Sequence, residues 1–124
     1  MSTSNNGTPP GWHSVTSRIV VRDSEGFVGF VRFVFEASGE YRSDRPTIVT
    51  IGDSMIMISE AGMRAVVTSF LYVYVPDLEA TYQRALKTGA RSLEAPFETG
   101  YGDRRCMVED NWGNTWQIAT FLGS

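Results

Sequence analysis

The feature that most limits what this chain can fold into is an order of elements that occurs twice. Residues 16–22 (TSRIVVR) mix β-branched with polar side chains, as a half-buried strand does. Asp23 and Ser24 then offer side-chain oxygens to the unpaired N–H groups of a helix start. From Phe27 the apolar period changes to that of a helix, with Phe27, Phe30, Val31, Val34 and Phe35 on one stripe. Gly26 and Gly29 weaken that helix, each by up to about 1 kcal/mol relative to alanine. Three extended stretches follow Gly39, at 40–42, 47–51 and 55–59, the last two flanking the hairpin signal Gly52-Asp53-Ser54. Residues 60–65 link onward with Gly62 as a hinge. The order then returns. Residues 70–75 (FLYVYV) form a strand and Asp77 caps a helix with Leu78, Tyr82, Ala85 and Leu86 on one face. Gly89 ends this helix as its C′ residue. Extended stretches at 91–93, 104–109 and 115–121 follow, with a turn at 110–114.

Two modules of strand–helix–three strands, at 14–60 and 67–122, predict an α+β fold. Each module gives a mixed sheet covered by a helix on one face, and two such sheets joined edge to edge curve into a concave cleft. The likeness between the halves lies in order and spacing; their identity is low. The chain of 124 residues suits one domain, here 13–124, preceded by a tail of Ser, Thr, Asn, Gly and Pro at 1–12.

Composition narrows the function. With 42% hydrophobic residues and a net charge of −3, the chain is ordinary for a globular domain. Its arginine pairs are too small for a phosphate-tracking stripe, which disfavours nucleic acid as a partner. One cysteine, Cys106, allows no internal disulfide, and no apolar run approaches the ~20 residues that span a bilayer. The start lacks the charged and apolar regions of a signal peptide, so the expected location is the cytoplasm, with no membrane partner.

Three stretches carry a more specific likeness: IGDSMIMISE (51–60), FLYVYVPD (70–77) and YGDRRCMVEDNWGNTWQIATF (101–121). With these the chain resembles the vicinal oxygen chelate superfamily, which includes glyoxalase I, bleomycin-resistance proteins, fosfomycin-resistance transferases and extradiol dioxygenases. The nearest flavour is the PhnB-like, bleomycin-resistance-like branch, over residues 14–122. The run YGDR…D-x-W-G-N-T-W-x-I carries most of the likeness. Its turn departs from the family's Asp-Pro-x-Gly-Asn, because Asn111 replaces the proline and loosens the turn. The resemblance implies paired βαβββ modules and a homodimer, sometimes strand- or module-swapped. It does not by itself imply catalysis, since one fold hosts many functions.

Enzymes of the superfamily hold a divalent metal with His and Glu at four positions. Carried over by motif, those positions are Thr16, Met57, Phe70 and Gln117, with Glu60 as a second reading of the Met57 position. A catalytic zinc wants about three His, Cys or carboxylate ligands, and this chain has one His and one Cys. The expectation is a protein without metal or other cofactor.

Strand alternation sets what shares a face with those positions. The candidates for ligand contact are Arg18, Met55, Met57, Phe70, Tyr72, Tyr74, Tyr101, Arg104, Trp112 and Gln117. Each has a plain reading beside it. The aromatic row packs either on a ligand or on a second copy; the methionines are core filler or binding surface; Arg18 is solvated or meets an anion. The family match favours Arg104 over Arg105 for the cleft. Trp112 caps the cleft mouth or rests on the neighbouring subunit. His13 reads as a surface residue and Cys106 as buried and inert. The leading expectation is a metal-free binder of a small organic ligand, an antibiotic or metabolite, in an aromatic cleft. The alternative is a glyoxalase-like lyase, isomerase or dioxygenase with an unusual metal site or with acid–base chemistry alone.

Overall fold

A computed structural model describes residues 7–123; the part of the expected tail before them lies outside the described residues. The first module holds β1 (Ser17–Val21), α1 (Ser24–Phe35), β2 (Thr47–Ile51) and β3 (Ser54–Glu60). The second holds β4 (Phe70–Tyr74), α2 (Leu78–Lys87), β5 (Arg91–Glu98), β6 (Asp103–Glu109) and β7 (Thr115–Phe121). The strands make two mixed sheets, ordered β1-β3-β2 and β4-β7-β6-β5. In each, the first strand of the module runs parallel to the last, and the remaining pairings are antiparallel.

The modules are unequal. The expected strand at 40–42 is absent, and in its place a single bridge joins Ser38 to Thr50. Gly39 explains the break: it sits at φ 121°, and a Cβ there would lie 2.4 Å from the Ile48 carbonyl oxygen. The backbone turns there at a conformation that side chains rarely adopt, so pairing stops after one residue. The strand expected at 91–93 instead runs to Glu98, with register shifts against β6.

Both helices begin as expected. The Asp23 carboxylate accepts from Gly26 N at 3.1 Å, and the Asp77 carboxylate accepts from Ala80 N at 3.1 Å. Gly26 leaves room for this cap, since a Cβ there would lie 2.4 Å from Asp23 Oδ2, the other oxygen of the capping carboxylate, and would push that side chain out of place. The small loss of helix propensity secures the cap. α1 buries Phe27, Phe30, Val31, Val34 and Phe35, and α2 buries Leu78, Thr81 and Ala85. The helices are tied together where Arg84 Nε donates to the Val34 carbonyl at 2.9 Å.

One continuous core joins the modules, and its centre is aromatic. Trp116 of β7 is fully buried and packs on Phe35 with centroids 4.7 Å apart and planes tilted by 38°. Trp112 meets Phe27 edge-on at 5.2 Å and Phe30 at 5.8 Å. Both tryptophans are oriented by Asp110. Its buried carboxylate accepts from Trp116 Nε1 at 2.8 Å, Trp112 N at 2.8 Å and Asn114 N at 2.9 Å. The turn closes through Asp110 N to the Asn114 carbonyl at 2.9 Å. Asn111, expected to loosen this turn, tethers it: Nδ2 donates to the Thr88 carbonyl at the end of α2, 3.0 Å away.

Removing the Asp110 carboxylate would strand several donors in a dry interior, each at a cost of about 1–3 kcal/mol. Asp110→Ala is therefore expected to lower unfolding stability by about 3 kcal/mol or more, and Asp110→Asn by less. A urea midpoint at unchanged m-value is the measurement; a loss below about 1 kcal/mol for the alanine variant would contradict this role.

Candidate functional site

The register of the second sheet sorts its side chains into two faces. Leu71, Trp116 and Val108 share one cross-strand row, and Val73, Ile118 and Cys106 share another, both on the core side. The opposite face carries the rows Tyr72–Gln117–Met107 and Tyr74–Ala119–Arg105. Asp103 follows two residues before Arg105 on the same face. Ala119 is fully buried although it stands on this open face, flanked by Tyr74 and Arg105.

Asp103 organises this face. It is only 2% exposed, and its Oδ2 accepts from the hydroxyls of both Tyr72 and Tyr74, the latter at 2.9 Å. The Tyr72 hydroxyl also lies 3.4 Å from that of Tyr101, which accepts from Arg105 at 2.7 Å. Arg105 in turn reaches Glu94 at 3.3 Å and sits over the Phe97 ring at 5.1 Å. The result is a chain of polar groups across three strands: Arg105, Tyr101, Tyr72, Asp103, Tyr74.

This chain fixes proton positions. Burial and then the bond to Asp103 push the Tyr72 hydroxyl well above the ordinary phenol range. Tyr74 is raised too, first by its bond to Asp103 and then by burial. Both phenols stay protonated and donate to one carboxylate. That suits a rigid binding wall better than a general base.

Tyr72 and Tyr74, with centroids 5.4 Å apart and planes tilted by 56°, form one side of a cavity of about 320 Å³ together with Leu71 and Val73, so that it lies along the edge of β4. The other side comes from the first module: His13, Thr16, the β2–β3 hairpin at 51–54, and Met55. β1 and β4 are edge strands of their sheets, and residues at the start of β1 and along β4 both line this cavity. The expected cleft thus has a concrete position, between the two modules of one chain.

The expected contacts divide. Met55, Tyr72 and Tyr74 line the cavity, and Tyr101 is bonded to Tyr72. Met57 and Gln117 are half-buried and outside the lining, and Phe70 stands 67% exposed away from it. Arg18 donates to Ser59 Oγ at 3.1 Å and borders a separate groove with Tyr41, Arg42 and Arg45. Two expectations are overturned. Arg104 faces α2, where it pairs with Glu79 at 3.1 Å; Arg105 is the one on the tyrosine face. The alternation that puts Cys106 in the core leaves Arg105 and Asp103 no other side. Trp112 neither caps the cavity nor awaits a neighbour, because its ring packs on Phe27 and Phe30. His13, read as a surface residue, is exposed but lines the cavity. Asp103 was missed as the organising group; the Tyr-x-Tyr spacing on β4 signalled a paired aromatic face but not its acceptor. Cys106 is buried as expected, its thiol pushed up to about 12 by burial.

The four positions that hold a metal in relatives do not fit one here. Of Thr16, Met57, Phe70 and Gln117, Thr16 alone lines the cavity. No group of three or more His, Cys, Asp or Glu side chains is placed to hold an ion among the described residues. Glu60 has a different task. It accepts from Ser24 N at 2.8 Å, Ser24 Oγ at 2.9 Å and Asp23 N at 3.0 Å, closing the start of α1.

Paired strand–helix–strand modules with a cavity between them define a class of small, two-module cleft proteins. The chain belongs to the Glyoxalase/Bleomycin resistance protein/Dioxygenase superfamily, whose profile matches residues 9–118. Solved structures share the fold. TioX from Micromonospora sp. ML1 aligns at a TM-score of 0.74 with 17% identity, over 89% of this chain and 99% of that one. The fosfomycin resistance protein FosX from Mesorhizobium loti aligns at 0.68 with 20% identity, over 90% and 92%. A family enzyme from Burkholderia phytofirmans PsJN aligns at 0.71 with 22% identity, over 86% and 97%. No curated protein matches the chain. No helix among the described residues is long and apolar enough to cross a membrane.

Glu60 supplies a pH test. Its hydrogen bonds to Ser24 and Asp23 hold its carboxyl below the ordinary value of 4.5. A depressed folded pKa stabilises above the unfolded value and is lost as pH falls through the folded one. Melting temperature is therefore expected to drop between about pH 5 and pH 3, and Glu60→Gln should make that drop shallower. An identical acid limb in the variant would contradict the assignment.

Proposed function

We propose that this protein binds a small organic molecule in the inter-module cavity without a metal, by sequestering it rather than transforming it. The observation that carries this is the cavity wall itself: two locked tyrosine rings, a thioether and the Thr16 hydroxyl surround a space of about 320 Å³. Apolar and aromatic walls with a few fixed polar groups suit a compact ligand with a flat part. The ligand class is an antibiotic or metabolite, a reading supported by TioX and FosX, whose folds are alike and one of which is named for fosfomycin resistance. The chemistry at Thr16, Met57, Phe70 and Gln117 supports a metal-free protein of the PhnB-like, bleomycin-resistance-like branch. A homodimer in the cytoplasm is part of the same reading. Phe70, Phe97 and Phe121 are all exposed on the second sheet, an apolar surface that a second copy would cover, and one buried free cysteine suits a reducing compartment.

Thermal shift with a panel of aromatic and apolar compounds tests the reading, with calorimetry on any hit. A ligand at about tenfold its Kd is expected to raise Tm by roughly 4 °C. Tyr74→Ala or Met55→Ala should weaken binding by about tenfold, whereas Arg104→Gln, on the helix side, should leave it unchanged. Elemental analysis of protein purified without a chelating step is the companion measurement. Stoichiometric transition metal would overturn the metal-free reading, and a panel with no stabilising compound would overturn the binding one.

A further inference from the structure

Charge around the cavity is one-sided. No Lys or Arg lines it, while Asp53 stands at its rim. Behind the aromatic wall Asp103 is buried, and no ion pair joins it to a Lys or Arg among the described residues. The nearest guanidinium on that face, Arg105, is answered by Glu94 at 3.3 Å and spends a second nitrogen on Tyr101. Both phenols commit their protons to Asp103, so what they can offer a ligand is an oxygen lone pair and a ring face. The tilted pair of rings forms a notch, and the electron-rich faces of aromatic rings attract cations. Met55 adds a polarisable sulfur. The two ring faces and the phenol oxygens of this wall and the Met55 sulfur thus favour positive charge, beside the His13, Thr16, Ser17 and Ser54 side chains on the opposite side of the cavity.

We infer that the ligand of this cleft is an organic cation: a flat or apolar body carrying a protonated amine, with the ammonium group in the Tyr72–Tyr74 notch in front of Asp103. This rests on the binding function proposed above and narrows it to one charge class. Anionic compounds such as phosphonates and carboxylates are disfavoured by the same wall, because a buried carboxylate repels them and no Lys or Arg lines the cavity to compensate. Asp103 acts through the two tyrosines as a positioning residue: it holds the rings and supplies the negative field.

A matched series separates charge from shape: 2-naphthylmethylammonium, 2-naphthylmethanol and 2-naphthylacetate, titrated by calorimetry at about pH 7.5. The ammonium compound is expected to bind about tenfold more tightly than the alcohol, and the carboxylate more weakly than both. Raising salt from about 50 mM to about 500 mM should weaken the ammonium compound and spare the alcohol. Asp103→Asn should weaken the ammonium compound by a larger factor than the alcohol, closing the gap between them even where both lose affinity from loosened rings. The salt series on the unaltered protein gives the same answer if that variant fails to fold. An alcohol or carboxylate that binds as tightly as the ammonium would overturn the charge assignment and leave the binding function standing. If none of the three binds and the wider panel of compounds is also silent, both readings fail together.

Discussion

Asp110 accepts a hydrogen bond from the indole N–H of Trp116 in a buried site, and the same carboxylate holds the backbone of the turn before it. The two tryptophans so oriented meet Phe27, Phe30 and Phe35 of the first module's helix. Half-buried sheets covered by one helix each have little reason to stay together unless their helices share a core. Here that core is an aromatic cluster whose geometry is set by one buried acceptor. A carboxylate without a cation in such a place is tolerable because its oxygens are fully engaged by N–H donors. The relative placement of the modules, and hence the cavity between β1, the β2–β3 hairpin and β4, depends on it.

The second buried carboxylate plays the matching part on the other side of the same sheet. Asp103 and Asp110 flank β6, one tying tyrosines on the open face and the other tryptophans in the core. The two sets of contacts are built from the same sheet register, in which Val73, Ile118 and Cys106 point one way and Tyr74, Ala119 and Arg105 the other. A shift of one residue would exchange the faces, placing aromatic hydroxyls in the core and the indole in water. Stability and binding surface are therefore specified together, and substitutions in β7 affect both.

Family likeness and site chemistry are carried by different residues. The run D-x-W-G-N-T-W, which makes the chain recognisable, is a structural latch: Asp110, Trp112, Asn114 and Trp116 all face the core or the turn. The four positions to which the family resemblance carries a metal site hold a hydroxyl, a thioether, a phenyl ring and an amide. None of those four side chains is a His or a carboxylate. Glu60, the second reading of the Met57 position, is drawn into closing α1 through Ser24 and Asp23.

The repeated order of elements, the two capping aspartates and the apolar helix stripes were all legible in the sequence, because each follows from local rules: period, cap chemistry and turn residues. The aromatic pair Tyr72 and Tyr74 was legible as well, since alternation alone puts them on one face. Three things were decided only by tertiary structure. Arg105 rather than Arg104 faces the tyrosines, a choice between adjacent residues that no local signal resolves and that the burial of Cys106 settles. Trp112 belongs to the core because a helix distant in sequence supplies the rings it packs on. Asp103 became the centre of the site because two strands not adjacent to each other, β4 and β6, are brought within hydrogen-bonding reach across β7. Local periodicity fixes which way a side chain points; which partner it meets there is set by the order of strands in the sheet, and that order is a property of the folded chain alone.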